Sequence, residues 1–254
     1  MQNLRKAFKS CVLILWGRDA RPRRIQRGLA KGFTLHVSPT VHMSYLLGTA
    51  EPHLQTIIRE YVKPGDTVYD IGANIGYVSL SLLKQVGEEG RVVAFEPVPE
   101  NVEGLRRNIA LNKANNIQVV EAAASNTKGE AIIRMTQSLS MASLVWHQDD
   151  PQAREVVIKT VVIDELVERG ELPYPSFVKI DVEGFEGGVL QGMVRTIETA
   201  MPVLFVECSD AGREIAWELM TDLGYRCESA VERRPVTKFE EYRHADFLWT
   251  PLKQ

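Results

Sequence analysis

From residue 66 onward, short apolar runs alternate with longer segments in which apolar residues recur every three or four positions. The runs 66–71, 91–96, 117–122, 177–181, 202–207 and 244–250 are rich in Val, Ile and Phe and lack clean polar alternation. That is the signature of strands covered on both faces. Between them, Gly76–Gln85, Pro99–Asn112, Phe185–Ala200 and Arg213–Leu223 read as helices, the second opening on a proline suited to a first helical turn. Alternation of this kind predicts an α/β fold, a mostly parallel sheet with helices on both faces and right-handed crossovers. Residues 130–137 and 155–163 break the rhythm. They read as strands with no helix between them, separated by the polar loop 138–154, and therefore as an antiparallel insertion or added edge strands.

Residues 1–65 read as a mostly helical extension or cover, with 51–61 a helix leading into the core. The chain thus divides into an N-terminal extension, 1–65, and one α/β domain over 66–254. A length of 254 residues supports one substantial core. Hydrophobic residues at 44% and charged residues at 25% match a soluble globular protein. The early apolar run Cys11–Trp16 has six residues, too short for a membrane span or a signal segment, so a cytoplasmic location is expected. Cys11, Cys208 and Cys227 are too few and too scattered for a disulfide framework or a zinc set. Charge is distributed unevenly. The net −3 conceals nine Lys or Arg against one acid in residues 1–35, with 21 basic and 32 acidic residues beyond. A basic arm of this kind suits peripheral contact with an anionic membrane surface, and equally a solvated helix face.

Candidate chemistry starts at the first strand, which ends Asp70-Ile-Gly72-Ala-Asn74-Ile-Gly76. Glycines after a first strand let the backbone approach a ligand closely. Glu96 closes the second strand, placed to accept hydrogen bonds from ribose hydroxyls. A dinucleotide turn needs a third glycine where Asn74 stands, and Asp70 would repel a phosphate. Both features fit S-adenosylmethionine, which carries a sulfonium and an ammonium but no phosphate. They disfavour a dinucleotide-dependent oxidoreductase. A second block, Lys179-Ile-Asp181-Val-Glu183-Gly184-Phe185-Glu186, puts alternating charges at the mouth of the fourth core strand. Ligands bind at the carboxyl ends of strands in open α/β sheets, so these charges face the cleft beside the cofactor.

These residues carry a resemblance. The Asp70–Gly76 turn, Glu96-Pro97, the small-residue loop Ser140-Met-Ala-Ser143-Leu144, and Lys179–Glu186 followed by Val189-Leu-Gln-Gly192 resemble the FkbM family of class I methyltransferases, over about residues 46–209. The resemblance implies a Rossmann-like, seven-stranded, mostly parallel sheet with an antiparallel last strand. It implies O-methyl transfer from S-adenosylmethionine to a hydroxyl of a sugar, glycolipid or polyketide-like small molecule. It places Asp70, Gly72, Asn74 and Gly76 at the methionine end of the cofactor, Glu96 at the ribose, and Ala123 and Ser125 beside the adenine. One departure is Cys208-Ser209 after Glu207, where such relatives carry a histidine.

An alcohol is a poor nucleophile at neutral pH, so a base or a metal is expected. Asp181 and Glu183 lead as bases, oriented by Lys179, with Glu207 next. Asp181, Glu183 and Glu207 could instead hold Mg²⁺ and lower the acceptor pKa. His36, His42, His53, His147 and His244 are further candidate bases, and Trp146 beside His147 is a candidate to stack on a sugar ring. Two readings from other classes stay open. A nucleic-acid methyltransferase would use the basic arm, but the acidic core and the absence of an Asn-Pro-Pro-aromatic motif disfavour it. A non-catalytic S-adenosylmethionine-binding module is the other.

Overall fold

The computed structural model describes residues 19–135, 142–143, 154–182, 184–208, 210–238 and 246–252. The N-terminal part carries a hairpin of β1 (Arg21–Arg24) and β2 (Thr34–Val37), then helices α1 (Pro39–Leu47) and α2 (Pro52–Tyr61). The chain continues with β3 (Thr67–Ile71), α3 (Tyr77–Val86), β4 (Arg91–Phe95), α4 (Pro99–Leu111) and β5 (Ile117–Val120). Next come β6 (Ala123–Ala124), β7 (Gly129–Met135), β8 (Ala142–Ser143), β9 (Arg154–Val161) and α5 (Ile163–Glu168). The last stretch holds β10 (Phe177–Ile180), α6 (Glu186–Gln191), α7 (Val194–Ala200), β11 (Val203–Glu207), α8 (Asp210–Asp222), β12 (Tyr225–Ser229), β13 (Pro235–Val236) and β14 (Asp246–Pro251).

The central sheet runs β13-β12-β14-β11-β10-β3-β4-β5. Strands β11, β10, β3, β4 and β5 are mutually parallel, and β14 lies antiparallel to both β11 and β12. These are the seven expected strands with the antiparallel last one, and β13 adds a two-residue edge. Side chains alternate between two cores, as strands buried on both faces require. Val68, Val92, Ala94, Phe177, Phe205 and Leu248 face α2, α3, α4 and the N-terminal segment. Tyr69, Val93, Phe95, Val178, Leu204 and Trp249 face α5 to α8. Ile25, Leu35, Leu46, Leu54 and Ile57 share the first of these cores, so the described N-terminal residues pack as one layer of the fold.

Within that layer the hairpin is a feature the sequence pattern did not reveal. Asn108 on α4 and Asn112 at its C-cap, one turn apart, hold it by its backbone. Their side-chain oxygens accept from the N–H groups of His36 and Thr34, both at 2.7 Å. Asn108 also donates to the Ile75 carbonyl at 2.8 Å, so one buried amide ties the N-terminal layer to the Gly72–Gly76 turn.

The expected helix 185–200 is corrected to two short helices. Gly192 breaks it, packed so closely on the Ser125 carbonyl that a β-carbon would not fit. The start of α7 is then capped from outside. The Asp164 carboxylate accepts from the N–H groups of Arg195 (3.1 Å) and Thr196 (2.8 Å), which have no partner within a new helix. The strands expected over 130–137 and 155–163 are β7 and β9, and they are antiparallel as expected. β7 and β9 pair throughout, and with β6 and β8 they make a four-stranded sheet beside the tips of β4 and β5. Among the described residues no helix is long and apolar enough to cross a membrane.

Candidate active site

Chain order along the sheet reverses between β3 and β10. Strands β4 and β5 lie to one side of that seam and β11 to the other. In open α/β sheets this reversal leaves a crevice at the carboxyl ends of the strands. A cavity of about 260 Å³ occupies it. The loop Gly72–Ile75, Glu96–Val98, Asn101, Ala122–Ala124, Lys179, Asp181, Phe205 and Glu207 line it, with Ile133 and Ile158 from the insertion and Tyr45, Glu51 and Leu54 from the N-terminal layer.

Under the floor sits an ion-pair hub. Lys179 and Asp70 are register partners across β10 and β3, and both are buried. The Lys179 ammonium lies 3.5 Å from Asp70 Oδ1 and 3.2 Å from Asp181 Oδ2, and donates to the Gly72 carbonyl at 2.9 Å. Burial alone would lower the Lys179 pKa, but Asp181 and then Asp70 outweigh it and hold the amine protonated. The other Asp70 oxygen accepts from the Ser79 hydroxyl at 2.5 Å, which joins α3 to the hub. Asp70 is therefore a support beneath the turn and contributes no surface to the cavity.

The turn glycines answer to packing. Gly72 has φ +81°, and a β-carbon there would collide with the Asp181 carbonyl oxygen. At Gly76, φ +90°, a β-carbon would stand 2.6 Å from Leu105 Cδ1. The close approach inferred from the sequence is thus an approach of the chain to itself, which brings the β3 and β10 loops together. Gly76 and Ser125 lie outside the cavity lining, whereas Gly72, Asn74, Glu96 and Ala123 belong to it.

Glu96 is buried at the tip of β4. Its Oε2 accepts from the Asn74 N–H at 2.7 Å, and Oε1 accepts from Val98 N–H at 2.9 Å and Asn101 Nδ2 at 3.3 Å. Asn74 adopts a left-handed conformation, φ +49°, that aims its N–H at this carboxylate. Burial pushes the Glu96 carboxyl upward, and those three donors work against the shift. Glu96 thereby organises the turn and still presents lone pairs to the cavity.

The opposite wall is acidic. Glu207 ends β11 on the same face as Lys179 and Asp181, opposite Asp246 in the β14 register. Its carboxyl makes no hydrogen bond or ion pair among the described residues. Burial, followed by Asp181, Asp246 and Glu51, raises its pKa to about 8. Glu51 stands at the rim. It occupies the position before α2 in a left-handed conformation, φ +49°, without capping the helix. Partial desolvation and the nearby Asp181 raise its pKa as well. Tyr45 stacks on Tyr77 with ring centroids 4.5 Å apart, and both line the cavity. Glu51, Tyr45 and Tyr77 were missed by sequence reasoning. An acid directly before the helix-opening Pro52 was the available signal.

The remaining candidates fall elsewhere. Glu183, His147, Trp146 and His244, with most of the loop 138–154, lie outside the described residues. His36 meets Arg107 on an open surface at 3.3 Å, and His53 is exposed. His42 packs beside Tyr45, and burial lowers its pKa. Among the described residues lining the cavity there is no histidine. Among the described residues no three His, Cys, Asp or Glu side chains gather to hold a metal ion, and Glu183, which the Mg²⁺ reading joins to Asp181 and Glu207, lies outside them.

A crevice at the sheet reversal, with an acid at the second strand tip, is where open α/β sheets bind nucleoside ligands. The family model described as the methyltransferase FkbM domain matches residues 70–227, and the chain belongs to that family of S-adenosylmethionine-dependent methyltransferases. Among similar proteins, the hexuronic acid methyltransferase AglP of Haloferax volcanii is 30% identical over 148 residues, 57% of this chain and 58% of that protein. A protein-L-isoaspartate O-methyltransferase of Triticum aestivum is 28% identical over 88 residues, 33% of this chain and 38% of that one. The chain thus spans less than two thirds of either relative. Among solved structures, a methyltransferase FkbM from Methylobacillus flagellatus KT is 20% identical, covering 89% of this chain and 56% of that chain, with a TM-score of 0.45.

Proposed function

We propose that this protein transfers a methyl group from S-adenosylmethionine to a hydroxyl of a sugar, glycolipid or related small molecule, with Glu207 as general base. The residues present fit the donor. The slot between Pro97, Val98, Ala123, Ile133 and Ile158 is apolar and suits a flat base, and Glu96 beside it suits a ribose. Gly72 to Ile75 would border the methionine end above the Lys179 hub. The cavity is acidic and its described lining offers no free cation for a phosphate, which matches a cationic, phosphate-free ligand. When bound, S-adenosylmethionine supplies an electrophilic methyl carbon on a sulfonium.

One observation carries the choice of base. Glu207 ends a core strand beside Asp181 in the cavity wall, forms no hydrogen bond or ion pair among the described residues, and has its pKa raised to about 8, chiefly by burial. Asp181 is already committed to Lys179 at 3.2 Å. The Glu207 carboxylate would take the acceptor hydroxyl proton as the new oxygen–carbon bond forms and the carbon–sulfur bond breaks, leaving a neutral thioether. Asp181 and Lys179 set the field around it and fix the floor. This ordering puts Glu207 ahead of Asp181 and Glu183.

The test combines isotope-labelled methyl donor with a panel of hydroxyl compounds. A labelled methyl ether is the expected product, and labelled nucleic acid or no transfer at all would contradict the reading. Glu207→Gln is expected to lower turnover about 10²–10⁴-fold with donor affinity unchanged. Wild-type turnover should rise with pH through about 8 and then level off. Stability should move the other way. Because the folded state raises the Glu207 pKa above its ordinary value, its contribution is full below that value and is lost as pH climbs toward about 8. At pH 9 the Gln variant should therefore melt above the wild type. An unchanged turnover in Glu207→Gln would move the base elsewhere.

A further inference from the structure

The acceptor half of the cavity carries information about what it admits. Its described walls are Tyr45 and Glu51 from the N-terminal layer, and Asp181, Phe205 and Glu207 from the sheet. Asp246 adds a further acid behind Glu207 as its register partner. Among the described lining residues Lys179 is the cation, and its ammonium is already held by Asp70, Asp181 and the Gly72 carbonyl. A carboxylate entering this half would meet like charge with no partner to offset it.

Glu51 is the member of this wall with no other duty. It sits where helix N-caps sit, yet its side chain makes no capping bond. Among the described residues its carboxylate accepts no hydrogen bond and forms no ion pair. Its backbone there is left-handed, φ +49° and ψ +53°, outside the extended region usual for a capping residue. Its backbone carbonyl already serves the helix by accepting from the Gln55 N–H at 2.9 Å. Glu51 is nevertheless part of the cavity lining and lies near enough to Glu207 to help raise its pKa.

We infer that Glu51 is a specificity-determining residue that admits uncharged or cationic polyols to the acceptor subsite and excludes acidic ones. Its carboxylate accepts a hydrogen bond from a hydroxyl or ammonium next to the methylated position, and repels a carboxylate placed there. The inference rests on the proposed hydroxyl acceptor and narrows it, away from the uronic acid named for the Haloferax relative. Tyr45 offers a flat neighbour against which a sugar ring can lie, backed by Tyr77.

The experiment uses the full chain loaded with S-adenosylhomocysteine and three probes of one ring size: a hexose, a hexosamine and a hexuronate. Binding is read by saturation-transfer NMR and titration, and methyl transfer by isotope with the donor. Wild type should favour the hexose or hexosamine over the hexuronate by tenfold or more. Glu51→Gln should shrink that ratio to threefold or less while donor affinity and melting temperature hold. Hexuronate binding as good as hexose, an unchanged ratio in Glu51→Gln, or no binding of any probe would overturn the inference. Methyl transfer to a non-carbohydrate hydroxyl in the last case would leave the proposed function standing, and that separates the two failures.

Discussion

Replacing Lys179 with Ala is expected to destabilise the protein by roughly 3–5 kcal/mol, the cost of breaking a buried ion pair from one side. Asp70 is fully buried, and its nearest cation would be gone. The Gly72 carbonyl would lose its donor, and Asp181 would lose its partner. Equilibrium urea unfolding reads the loss as a lower midpoint at constant slope. The double variant Lys179→Ala/Asp70→Ala should recover part of it, since no orphan charge remains. Donor binding should fall with the single variant, because the floor of the cavity and the 72–75 loop share the hub. A Lys179→Ala protein within about 1 kcal/mol of wild type would show that the buried charges are solvated by some other route.

Gly72→Ala is expected to be the most damaging of the substitutions at the turn glycines. Two costs combine there. The left-handed backbone, φ +81°, costs a residue with a β-carbon about 1–2 kcal/mol. The added carbon also collides with the backbone oxygen of Asp181, which cannot swing aside as a side chain can. Gly65 isolates the first cost, since it has φ +87° and a β-carbon there would meet nothing within 4 Å. Gly65→Ala should therefore lose only the conformational part and keep full donor affinity. Gly72→Ala should melt well below it and lose donor binding, as the ends of β3 and β10 are forced apart. Equal melting temperatures for the two would deny the close strand approach that shapes the crevice.

Much of this architecture was legible in advance because buried parallel strands write themselves as continuous apolar runs. β3, β4, β10 and β11 were readable for that reason. β12 was not, since Arg226 and Glu228 alternate with its buried Tyr225 and Cys227 and dilute the pattern. The helix over 185–200 failed for a different reason. Its interruption depends on Gly192 meeting Ser125 and on Asp164 supplying a cap from 31 and 32 residues away, contacts with no local trace. The hairpin at 21–37 is held by two asparagines, one on α4 and one at its C-cap, 72 and 78 residues further along.

The site divides in the same way. Lys179, Asp181 and Glu207 could be placed at one cleft because strand ends and period-two alternation are readable. What each carboxyl does could not. The distinction between Asp70 as a buried support, Asp181 as the partner of Lys179 and Glu207 as an unpaired group of raised pKa comes from three-dimensional neighbours. Glu51 and Tyr45 were missed because, although the helix over 51–61 is readable from its sequence, its place beside the cavity depends on contacts far along the chain.

Every role proposed above depends on the crevice at the β3–β10 seam binding a methyl donor. Isothermal titration of the protein with S-adenosylmethionine, with Glu96→Ala in parallel, tests it most directly. A single site of micromolar affinity is expected, weakened tenfold or more when the Glu96 carboxylate and its bonds to Asn74 and Val98 are removed. No heat from S-adenosylmethionine, or tight binding of a nicotinamide dinucleotide in its place, would contradict it.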